Sequence, residues 1–397
     1  MTRVVTCFLR HRVAVLLRRR GGAGRWDAVA TRIDSDTTPE VAARRTVREA
    51  TGRTDATLVR AGDPLTVGDR TVYPFGVAVD SRSVVADGEV THEWVSPPEI
   101  RARATVPGLW DAYTAVAPTV ETVAEDTTHG SAWLSVRALE VLRDRAAVAE
   151  DYASVAAVAE DLRTARPSMA AVVARIDRVM AAAERSPNAV RERADTVARE
   201  ALDAGESAAT NAAGRCGDAV VTLSRSGTVR TALELARPAV LIGESRPGGE
   251  GVDVAVELAD AGLDVTLTTD TALPVELAER EVDAALVGAD AVLADGSVVN
   301  KVGTRGLALA AAREGVPLWV VADTAKIRPD ERAHTETADP TDVYDGDAPV
   351  TVATSVFDRT PADLVAGVVT ERGVLDGDDV RSVAADHREN AAWVEHE

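Results

Sequence analysis

The sequence has 397 residues, with 44 Lys plus Arg against 64 Asp plus Glu, and a formal net charge of −20 at pH 7. A chain of this length is too long to form one small core, so we expect two to three domains. The charge disfavours non-specific nucleic-acid binding, because no basic stripe is available to displace counterions. The two cysteines, Cys7 and Cys216, lie far apart, which excludes a disulfide framework and indicates a reducing compartment. No apolar stretch approaches membrane-spanning length, so we expect a cytoplasmic protein without a membrane segment.

The basic residues are almost all arginine: 42 of the 44, with lysine at Lys301 and Lys326 alone. Few lysines, many acidic residues and small apolar residues are typical of chains adapted to high salt. In that interpretation the acidity belongs to a solvated surface and says little about partners.

The first 117 residues alternate in the manner of an antiparallel β structure with one helix. Strands are predicted at residues 4–9, 13–17, 72–79 and 89–95. Thr38 and Pro39 predict the start of a helix that ends at Gly52, since glycine takes the left-handed conformation that stops a helix. The run Arg18-Arg19-Arg20 is interpreted as a strand end and loop rather than as a binding patch.

Two stretches of this region resemble the Nudix family: RWDAVATRIDSDTTPEVAARRTVREATG and HEWVSPPEIRARATVPGLWDAY. The Nudix box, G-x5-E-x7-R-E-U-x-E-E-x-G-U with U aliphatic, places glutamates on one helix face, where they hold divalent metal against a diphosphate. Matching positions are Arg45, Val47, Glu49 and Gly52, whereas Thr31, Thr37, Thr46 and Ala50 replace the first glycine and three of the glutamates. One carboxylate is too few for a magnesium site. The resemblance therefore implies a degenerate Nudix-like α/β/α sandwich, with Glu49 a solvated helix residue.

Residues 118–213 form the second predicted domain, a small antiparallel helical bundle. Apolar residues at three-four spacing predict its helices at residues 131–148, 152–164, 168–184 and 188–212. Gly130 and Ser131 precede the first of these helices, and Arg166 stands just before the third. Free amides at helix starts attract anions, although ordinary helix capping accounts for either sequence equally well.

Residues 214–397 change to a β-α-β pattern, which predicts an α/β domain with a Rossmann-like parallel sheet covered on both faces. Strands are predicted at residues 219–223, 239–243, 264–268, 284–287 and 317–322, with a last strand at 350–354. Helices are predicted at residues 229–236, 252–261 and 305–314, with a peripheral helix in the tail from about residue 375.

Polar residues follow nearly every predicted strand, and the carboxyl ends of parallel strands converge on one crevice. Ser226-Gly227-Thr228 resembles a phosphate cradle that opens a helix. Asp290 follows the strand at 284–287, and Asn300-Lys301 ends the short strand after it. Lys301 is a compact cation in a chain that otherwise uses arginine, which favours a phosphate site where a guanidinium would not fit.

Together the helical and sheet domains resemble the family of the α, β and δ regulatory subunits of translation initiation factor 2B, which also contains methylthioribose-1-phosphate isomerase and ribose-1,5-bisphosphate isomerase. The resemblance spans about residues 120–372. It depends on Gly130-Ser131, Ala165-Arg166-Pro167-Ser168, Ser226-Gly227-Thr228, Glu244-Ser245-Arg246-Pro247, Val287-Gly288-Ala289-Asp290 and Asn300-Lys301-Val302-Gly303-Thr304. Phosphate-binding candidates on these motifs are Gly130, Ser131, Arg166, Ser226, Gly227, Thr228, Arg246, Asn300 and Lys301.

In the isomerase branches a cysteine follows the first strand of the sheet and faces the aspartate of the Gly-Ala-Asp motif. The resemblance implies that this pair moves a proton between adjacent sugar carbons while the amide-lysine pair grips substrate oxygens. Asp290, Asn300 and Lys301 match these positions. Ser224 stands at the cysteine position, and His129 stands where the isomerases have arginine.

The missing cysteine bears directly on catalysis. A serine hydroxyl titrates far above neutrality, so Ser224 cannot take a thiolate's role without a base partner. Cys216 cannot substitute, because it precedes the strand and would lie on the order of 20 Å away at the amino end of the sheet.

Three functions follow. The favoured one is a regulatory or non-catalytic member of the family that binds a ribose phosphate or nucleoside monophosphate and forms a homodimer or higher homo-oligomer. The alternative is an aldose-ketose isomerase of a ribose phosphate, with Asp290 and Ser224 at the catalytic positions. The third is a Nudix hydrolase. For the favoured function we expect no cofactor, no metal, no membrane contact and no direct nucleic-acid binding.

Overall fold

The computed structural model describes residues 2–21, 24–52, 56–85, 88–126, 128–333 and 336–396. Within these ranges no helix is long and apolar enough to cross a membrane. The chain divides into two compact units. Unit 1 comprises Met1–Thr122, Arg137–Val158 and Glu184–Arg199, and unit 2 comprises Val123–Val136, Ala159–Ala183 and Glu200–Glu397. The domain boundaries expected after residues 117 and 213 remain predictions.

The strands and helices are numbered in chain order. The strands are β1 (Thr2–His11), β2 (Ala14–Arg20), β3 (Val29–Arg32), β4 (Thr57–Ala61), β5 (Leu65–Val67), β6 (Arg70–Ala78), β7 (Val90–Val95), β8 (Ala219–Thr222), β9 (Ala239–Gly243), β10 (Val265–Thr268), β11 (Ala284–Val287), β12 (Ala291–Val292), β13 (Val298–Lys301), β14 (Leu318–Val321), β15 (Phe357–Thr360), β16 (Gly367–Thr370) and β17 (Gly373–Leu375). The helices are α1 (Pro39–Thr51), α2 (Glu99–Ala102), α3 (Leu109–Thr114), α4 (Val120–Glu125), α5 (Ser131–Ala146), α6 (Tyr152–Ala165), α7 (Ala170–Ala182), α8 (Pro187–Ala213), α9 (Gly227–Ala236), α10 (Glu250–Asp260), α11 (Leu273–Ala278), α12 (Thr304–Glu314) and α13 (Gly377–Asn390). Short 3-10 turns lie at Thr324–Lys326, Pro340–Asp342, Ala362–Leu364 and Ala391–His396.

Unit 1 contains a seven-stranded sheet in which β4, β6, β1, β2 and β7 are neighbours in that order, with β3 on β1 and β5 on β6. The predicted strands of this region are β1, β2, β6 and β7. The sheet is mixed rather than antiparallel as expected, because β1 and β6 pair in parallel. Apolar alternation marks a strand but not the direction of its neighbour, which long-range pairing decides.

Helix α1 follows the local rules that its sequence predicts. Thr38 accepts a hydrogen bond from the Val41 amide at 3.4 Å, Pro39 opens the first turn, and Gly52 ends the helix with φ of 70°. Its small apolar side chains, Ala42 and Ala43 among them, pack on the sheet core.

Unit 2 contains a seven-stranded sheet in the order β10-β9-β8-β11-β14-β16-β17, in which only β17 is antiparallel to its neighbour. One apolar cluster joins it to α11, α12 and α13, and another joins it to α8, α9 and α10. Both faces of the sheet are therefore covered, as predicted. The strand order reverses between β8 and β11, which makes this pair the topological switch point where open α/β sheets bind ligands.

Two expectations about the carboxyl-terminal part are settled by the structure. The strand predicted at residues 350–354 is wrong: this segment pairs with no neighbouring strand and Val350 is 58% exposed. The sheet is instead completed by β16 and β17, while β15 joins β12 and β13 in a small separate sheet. The predicted tail helix is α13, whose start Asp376 caps in a capping box.

Candidate functional site

The candidate site lies at the switch point of unit 2, where β8 and β11 end side by side. Ser224, two residues beyond β8, has a left-handed backbone with φ of 65°. Gly288 follows β11 directly, and a Cβ added there would lie 2.8 Å from both Cβ and Oγ of Ser226. The loop that begins α9 therefore packs on the segment that leads to Asp290, which requires glycine at position 288.

The turn after β9 is fixed by hydrogen bonds from both sides. The Ser224 amide donates to Ser245 Oγ at 2.6 Å, and that hydroxyl donates to the Gly243 carbonyl at 3.1 Å. Asp270, which follows β10, accepts the amides of Ser245 at 2.7 Å and Arg246 at 2.6 Å. The ends of β8, β9 and β10 are thereby joined. The exposed Arg246 side chain pairs with Glu244 at 3.2 Å instead of entering this network.

Asp290 lies within the electrostatic influence of both lysines of the chain. Burial raises the pKa of its carboxyl, while Lys326 and Lys301 lower it and Glu336 and Glu250 raise it further. Lys326 is buried and donates to the Ala289 carbonyl at 2.5 Å. Both ammonium groups therefore attract the carboxyl electrostatically, but its pKa stays above the ordinary value because burial outweighs their attraction.

Lys301 forms an ion pair with Glu250, the first residue of α10, at 2.6 Å between Nζ and Oε1. The Lys301 side chain is 13% exposed and the Glu250 side chain 24%. The second carboxylate oxygen of Glu250 is buried and has no hydrogen-bond partner among the described residues. The neighbouring Asn300 is buried, and its amide donates to Thr304 Oγ1 at 3.0 Å. The Glu250 carboxylate thus binds the ammonium group for which the sequence predicted a phosphate partner.

A buried ion pair positions the segment that carries Lys326. Arg175 on α7 and Asp323 after β14 are each 4% exposed and lie 2.9 Å apart. Arg175 also donates to Ser135 Oγ on α5, and Asp323 accepts the Ala325 amide at 3.1 Å. Because an unpaired buried charge is costly, this pair constrains the turn that places the Lys326 ammonium group.

The predicted helix-start residues behave differently from one another. Ser226 Oγ accepts the Val229 amide at 3.4 Å, which is ordinary capping of α9, and Gly227 and Thr228 form the first turn. Gly130 is exposed, whereas Ser131 is 1% exposed and its hydroxyl has no hydrogen-bond partner within the described part of the chain. A buried hydroxyl without a partner is unfavourable, so a ligand or water at this helix start would stabilise it.

Two arginines hold the segment that precedes α5. Arg166 donates to the carbonyls of Ala124 at 3.2 Å and Asp126 at 2.7 Å, and Arg225 donates to the Thr128 carbonyl at 3.3 Å. Since Arg225 is flanked by Ser224 and Ser226, these contacts join the Gly130-Ser131 segment to the switch point. Arg166 acts here through backbone carbonyls.

His129, at the position where the isomerases have arginine, is held by its own loop. Its Nδ1 lies 2.8 Å from Asp126 Oδ2, and its ring stacks on Trp133 with 3.9 Å between centroids. Its imidazole therefore interacts with Asp126 rather than standing free as an additional cation.

The cysteines are structural. Cys216 is buried and donates to the Ala212 carbonyl at 3.6 Å, and burial raises the pKa of its thiol to about 11. Burial likewise raises the pKa of Cys7 in unit 1 to about 12. Neither thiol is ionised near neutral pH, so neither supplies the thiolate that Ser224 lacks.

All candidate residues lie in unit 2. Hydrogen bonds join Ser224 to Ser245 and Arg225 to Thr128, Lys301 acts electrostatically on Asp290, and the close approach of Gly288 to Ser226 links the two groups. The site residues named from the sequence did not include Glu250, Ser245, Asp270 or Lys326, although Ser245 belongs to one of the family motifs and Asp270 follows a predicted strand. For Lys326 a sequence signal existed, since it is the other of the two lysines. The roles of the other three depend on contacts between strands that are distant in sequence.

Two family models match the chain, each over one of its regions. The model of the initiation factor 2 subunit family matches residues 127–377, and the NUDIX domain model matches residues 1–152. The chain belongs to the initiation factor 2 subunit family. Its α/β fold and its amino-terminal Nudix domain are as predicted.

The chain is similar to one curated protein and to two solved structures that differ in their described roles. The ribose 1,5-bisphosphate isomerase of Haloferax volcanii is 39% identical over 173 residues, which are 40% of this chain and 53% of that protein. The translation initiation factor eIF-2B of Pyrococcus horikoshii OT3 superposes with a TM-score of 0.56 and 26% identity over 64% of this chain and 94% of that one. The tetrameric eIF2B-beta2-delta2 complex of C. thermophilum gives a TM-score of 0.53 and 21% identity over 68% and 92% of the two chains.

The chain spans about half the length of the curated relatives matched first, among them methylthioribose-1-phosphate isomerases. These relatives act on phosphorylated sugars, as their names state. The likeness to the tetrameric complex, at its low identity, shows the fold alone.

The Nudix helix retains a single carboxylate of its box. Thr46, at one acid position, is buried and donates to the Ala42 carbonyl at 2.7 Å, so it takes part in the helix rather than in a metal site. Glu49 is exposed. No group of three or more His, Cys, Asp or Glu side chains in the described ranges is placed to hold a metal ion.

Proposed function

We propose that unit 2 binds a phosphorylated ribose at the switch point of its sheet without isomerising it. The observation that carries this proposal is that both lysines of the chain attract the Asp290 carboxyl electrostatically at the carboxyl end of β11, where Lys326 also donates to the carbonyl of the neighbouring Ala289 at 2.5 Å. The ligand class follows from two compact cations beside a carboxyl of raised pKa. The ammonium groups suit phosphate oxygens, and the Asp290 carboxyl can form a hydrogen bond with a sugar hydroxyl.

In this proposal the phosphate binds at the Lys301–Glu250 ion pair. Glu250 satisfies Lys301 through one oxygen, while its buried second oxygen lacks a partner among the described residues. A phosphate dianion carries more charge than this carboxylate and offers more acceptors. We infer that the phosphate replaces Glu250 at the Lys301 ammonium group and allows the carboxylate to return to water.

The absence of turnover follows from the chemistry at Ser224. Aldose-ketose isomerisation removes a proton from one carbon and delivers one to its neighbour, which requires a base and an acid on the sugar. Asp290 can serve in one of these roles. A serine hydroxyl is a poor acid or base near neutrality, and both thiols of the chain are buried with raised pKa. Binding without proton transfer is the expected result.

Isomerisation of a ribose phosphate is the second candidate. The raised pKa of Asp290 favours this function, because a carboxyl whose pKa is raised by burial is suited to general acid-base catalysis. The 39% sequence identity with the ribose 1,5-bisphosphate isomerase of Haloferax volcanii also supports an isomerase function. It requires that another group take the role of the cysteine.

Calorimetric titration tests the binding proposal, with ribose 1,5-bisphosphate and AMP as probes. We expect the Lys301→Ala variant to weaken binding by about tenfold or more, equivalent to roughly 1.4 kcal/mol, because the phosphate loses its ammonium partner. The matched control is Arg280→Ala, which removes a cation paired with Glu276 on the surface of the same unit. Equal affinities for the two variants would remove the switch point from the proposal.

Turnover distinguishes the two candidates. Ribose 1,5-bisphosphate is incubated with the wild type and with Ser224→Cys, and the ketose product is followed by NMR. The proposal predicts unchanged substrate with the wild type and a gain of product with the cysteine variant. Wild-type turnover that is lost in Asp290→Asn would instead establish the isomerase.

The assembly is part of the same proposal. We infer a cytoplasmic homodimer or higher homo-oligomer that does not bind nucleic acid directly and acts in regulation rather than catalysis. The inference is motivated by one fold neighbour, the tetrameric eIF2B-beta2-delta2 complex of C. thermophilum. Light scattering coupled to gel filtration tests the oligomeric state, and a monomer at micromolar concentration would contradict it.

A further inference from the structure

Unit 2 contains a cavity of about 180 Å³ whose lining includes none of the switch-point residues described above. The lining comes from α6, α7, α13 and the segment that follows Lys326. This volume is below the roughly 300–1,000 Å³ of sites for drug-sized ligands, so the cavity suits a smaller molecule. Both charged and apolar side chains line it, and the charged ones occur as two ion pairs.

Arg163 on α6 and Asp177 on α7 form the first of these ion pairs. Arg163 Nε lies 2.6 Å from Asp177 Oδ1, and Arg163 Nη2 donates to Oδ2 at 3.3 Å. The Trp393 indole N–H also donates to Asp177 Oδ1, at 2.8 Å. Both carboxylate oxygens are therefore engaged, whereas Arg163 Nη1 makes no hydrogen bond within the ranges that the structure describes. This nitrogen can donate two hydrogen bonds to a ligand.

His387 on α13 supplies a hydrogen-bond acceptor to the same cavity. Its Nδ1 lies 2.7 Å from the Ile327 carbonyl, and because a carbonyl only accepts, Nδ1 must carry the hydrogen. Burial lowers the pKa of the imidazole, so the ring is neutral near pH 7. The other ring nitrogen, Nε2, is then an acceptor, and an ammonium group is a suitable donor to it.

Arg328 and Asp330 form the second ion pair of the lining. Arg328 Nε lies 3.3 Å from Asp330 Oδ1, and Arg328 Nη1 donates to the Pro167 carbonyl at 3.0 Å. The cavity therefore has two guanidinium groups, two carboxylates and a neutral imidazole, which give it no net charge. Such a lining complements a ligand that carries both signs of charge better than it complements a simple anion or cation.

The rest of the lining is largely apolar. Ala170, Ala174 and Ile327 are buried, and Val173 and Ala391 are half-buried. These side chains are small or aliphatic, and each presents a surface from which a ligand's hydrocarbon group can exclude water. The cavity thus combines a donor, an acceptor and an apolar wall within a volume that a single amino acid can fill.

We propose that this cavity binds a free aliphatic α-amino acid as its zwitterion. The carboxylate of the ligand accepts hydrogen bonds from Arg163 Nη1, and its ammonium group donates to His387 Nε2. The aliphatic side chain packs against Val173 and Ile327. The site is separate from the switch point, and its test does not depend on the ligand proposed there.

Calorimetry of the full chain near neutral pH tests the ligand class, with L-valine as the probe. Isovalerate is valine without its ammonium group, and isobutylamine is valine without its carboxylate. Each should bind at least about tenfold more weakly than L-valine, because each lacks one of the two charged groups that the lining recognises. The absence of L-valine binding would overturn the proposal, and so would equal affinity for either analogue.

Substitution of a lining alanine tests the location. Ala391→Leu narrows the cavity without removing a charge and should weaken L-valine binding by at least about tenfold. The matched control is Ala182→Leu, at an exposed position at the end of α7 outside the lining, which should change the affinity by less than about twofold. Equal affinities for these two variants would remove the cavity as the binding site.

His387→Asn tests the acceptor without removing the contact that holds α13. Asparagine retains an N–H for the Ile327 carbonyl but has no acceptor at the Nε2 position, so L-valine binding should weaken by about fivefold. Thermal unfolding of the variant shows that it remains folded, and an unchanged affinity would overturn the proposal. Lys301→Ala should bind L-valine as the wild type does, and loss of binding in that variant would assign the ligand to the switch point instead.

Discussion

At the scale of single residues, Asp290 makes the stability of the chain depend on pH. Its carboxyl is partly buried, and burial raises its pKa despite the two nearby lysines. The folded chain therefore holds this proton at pH values where the unfolded chain has released it. Stability from this group is greatest below the ordinary value of 3.8 and decreases as the pH rises towards the folded pKa.

Asp290→Asn should accordingly stabilise the chain at pH 7.5 and have little effect near pH 4. The gain should approach roughly 1.4 kcal/mol for each unit by which the pKa is raised, since the amide avoids the buried charge. Chemical denaturation of wild type and variant at the two pH values measures it. A loss of stability at pH 7.5 would mean that attraction to the lysines outweighs burial.

Arg143 is a fully buried cation of unit 1. It contacts Asp144 at 2.8 Å, the Tyr113 hydroxyl at 3.3 Å and the Val13 carbonyl at 3.3 Å. Asp144 is buried too, so removing the guanidinium leaves a carboxylate without its counter-ion.

Arg143→Ala should reduce the free energy of unfolding by about 3–5 kcal/mol, because a buried ion pair is broken from one side. The control is Arg44→Ala, whose partner Glu40 is exposed on α1 and whose loss should cost less than about 1 kcal/mol. Urea denaturation of both variants checks the prediction, and similar small losses would show that water reaches the Arg143 cluster.

At the scale of elements, the start of α10 depends on a close approach of two backbones. A Cβ added to Gly251 would lie 1.9 Å from the Gly243 carbonyl oxygen and 2.8 Å from Ser245 Oγ. The same hydroxyl accepts a hydrogen bond from the Ser224 amide. A displacement at Gly251 would therefore also displace Ser224 at the switch point.

Gly251→Ala should therefore destabilise the chain by about 1–3 kcal/mol and weaken ligand binding at the switch point. Gly306→Ala is the matched control: it lies near the start of α12, faces open space, and should stabilise the chain by about 0.5–1 kcal/mol. Thermal unfolding of the two variants gives the sign directly. Equal behaviour of both variants would contradict the packing.

Which elements could be predicted follows from the range of the forces that form them. Capping residues and apolar periodicity predicted α1 and α9, because Thr38, Gly52 and Ser226 act on residues close to them in sequence. The short α11 was missed, since six residues with Pro274 carry too little periodicity. The segment 350–354 was wrong because an apolar run becomes a strand only when another strand pairs with it.

The site was predictable to the same extent. Asp290, Asn300 and Lys301 stand out in sequence by residue type and by position after strands. Glu250 could not be assigned to the site from the sequence, because it lies 51 positions from Lys301 and contacts it only through the packing of α10. The cations could therefore be recognised in the sequence, whereas the carboxylate that pairs with Lys301 could be identified only from the fold.

At the scale of the whole molecule, the charge distribution sets the response to salt. Residues 118–397 carry −23, and repulsion among these charges opposes the folded state. Adaptation to high salt remains a prediction from composition.

Raising KCl from 0.2 to 2 M should increase the unfolding temperature by several degrees, because screening weakens the repulsion. Sucrose at matched water activity is the control, since it stabilises by exclusion without screening. An unfolding temperature that falls with KCl would contradict this account of the acidic surface.

The central claim, that the switch point grips a phosphorylated ribose through Lys301, is tested most directly by a crystal structure of the chain with ribose 1,5-bisphosphate. The account predicts a phosphate oxygen about 2.7–2.9 Å from Lys301 Nζ, with Glu250 displaced. An intact Lys301–Glu250 ion pair, with the sugar bound elsewhere or absent at saturating concentration, would contradict it.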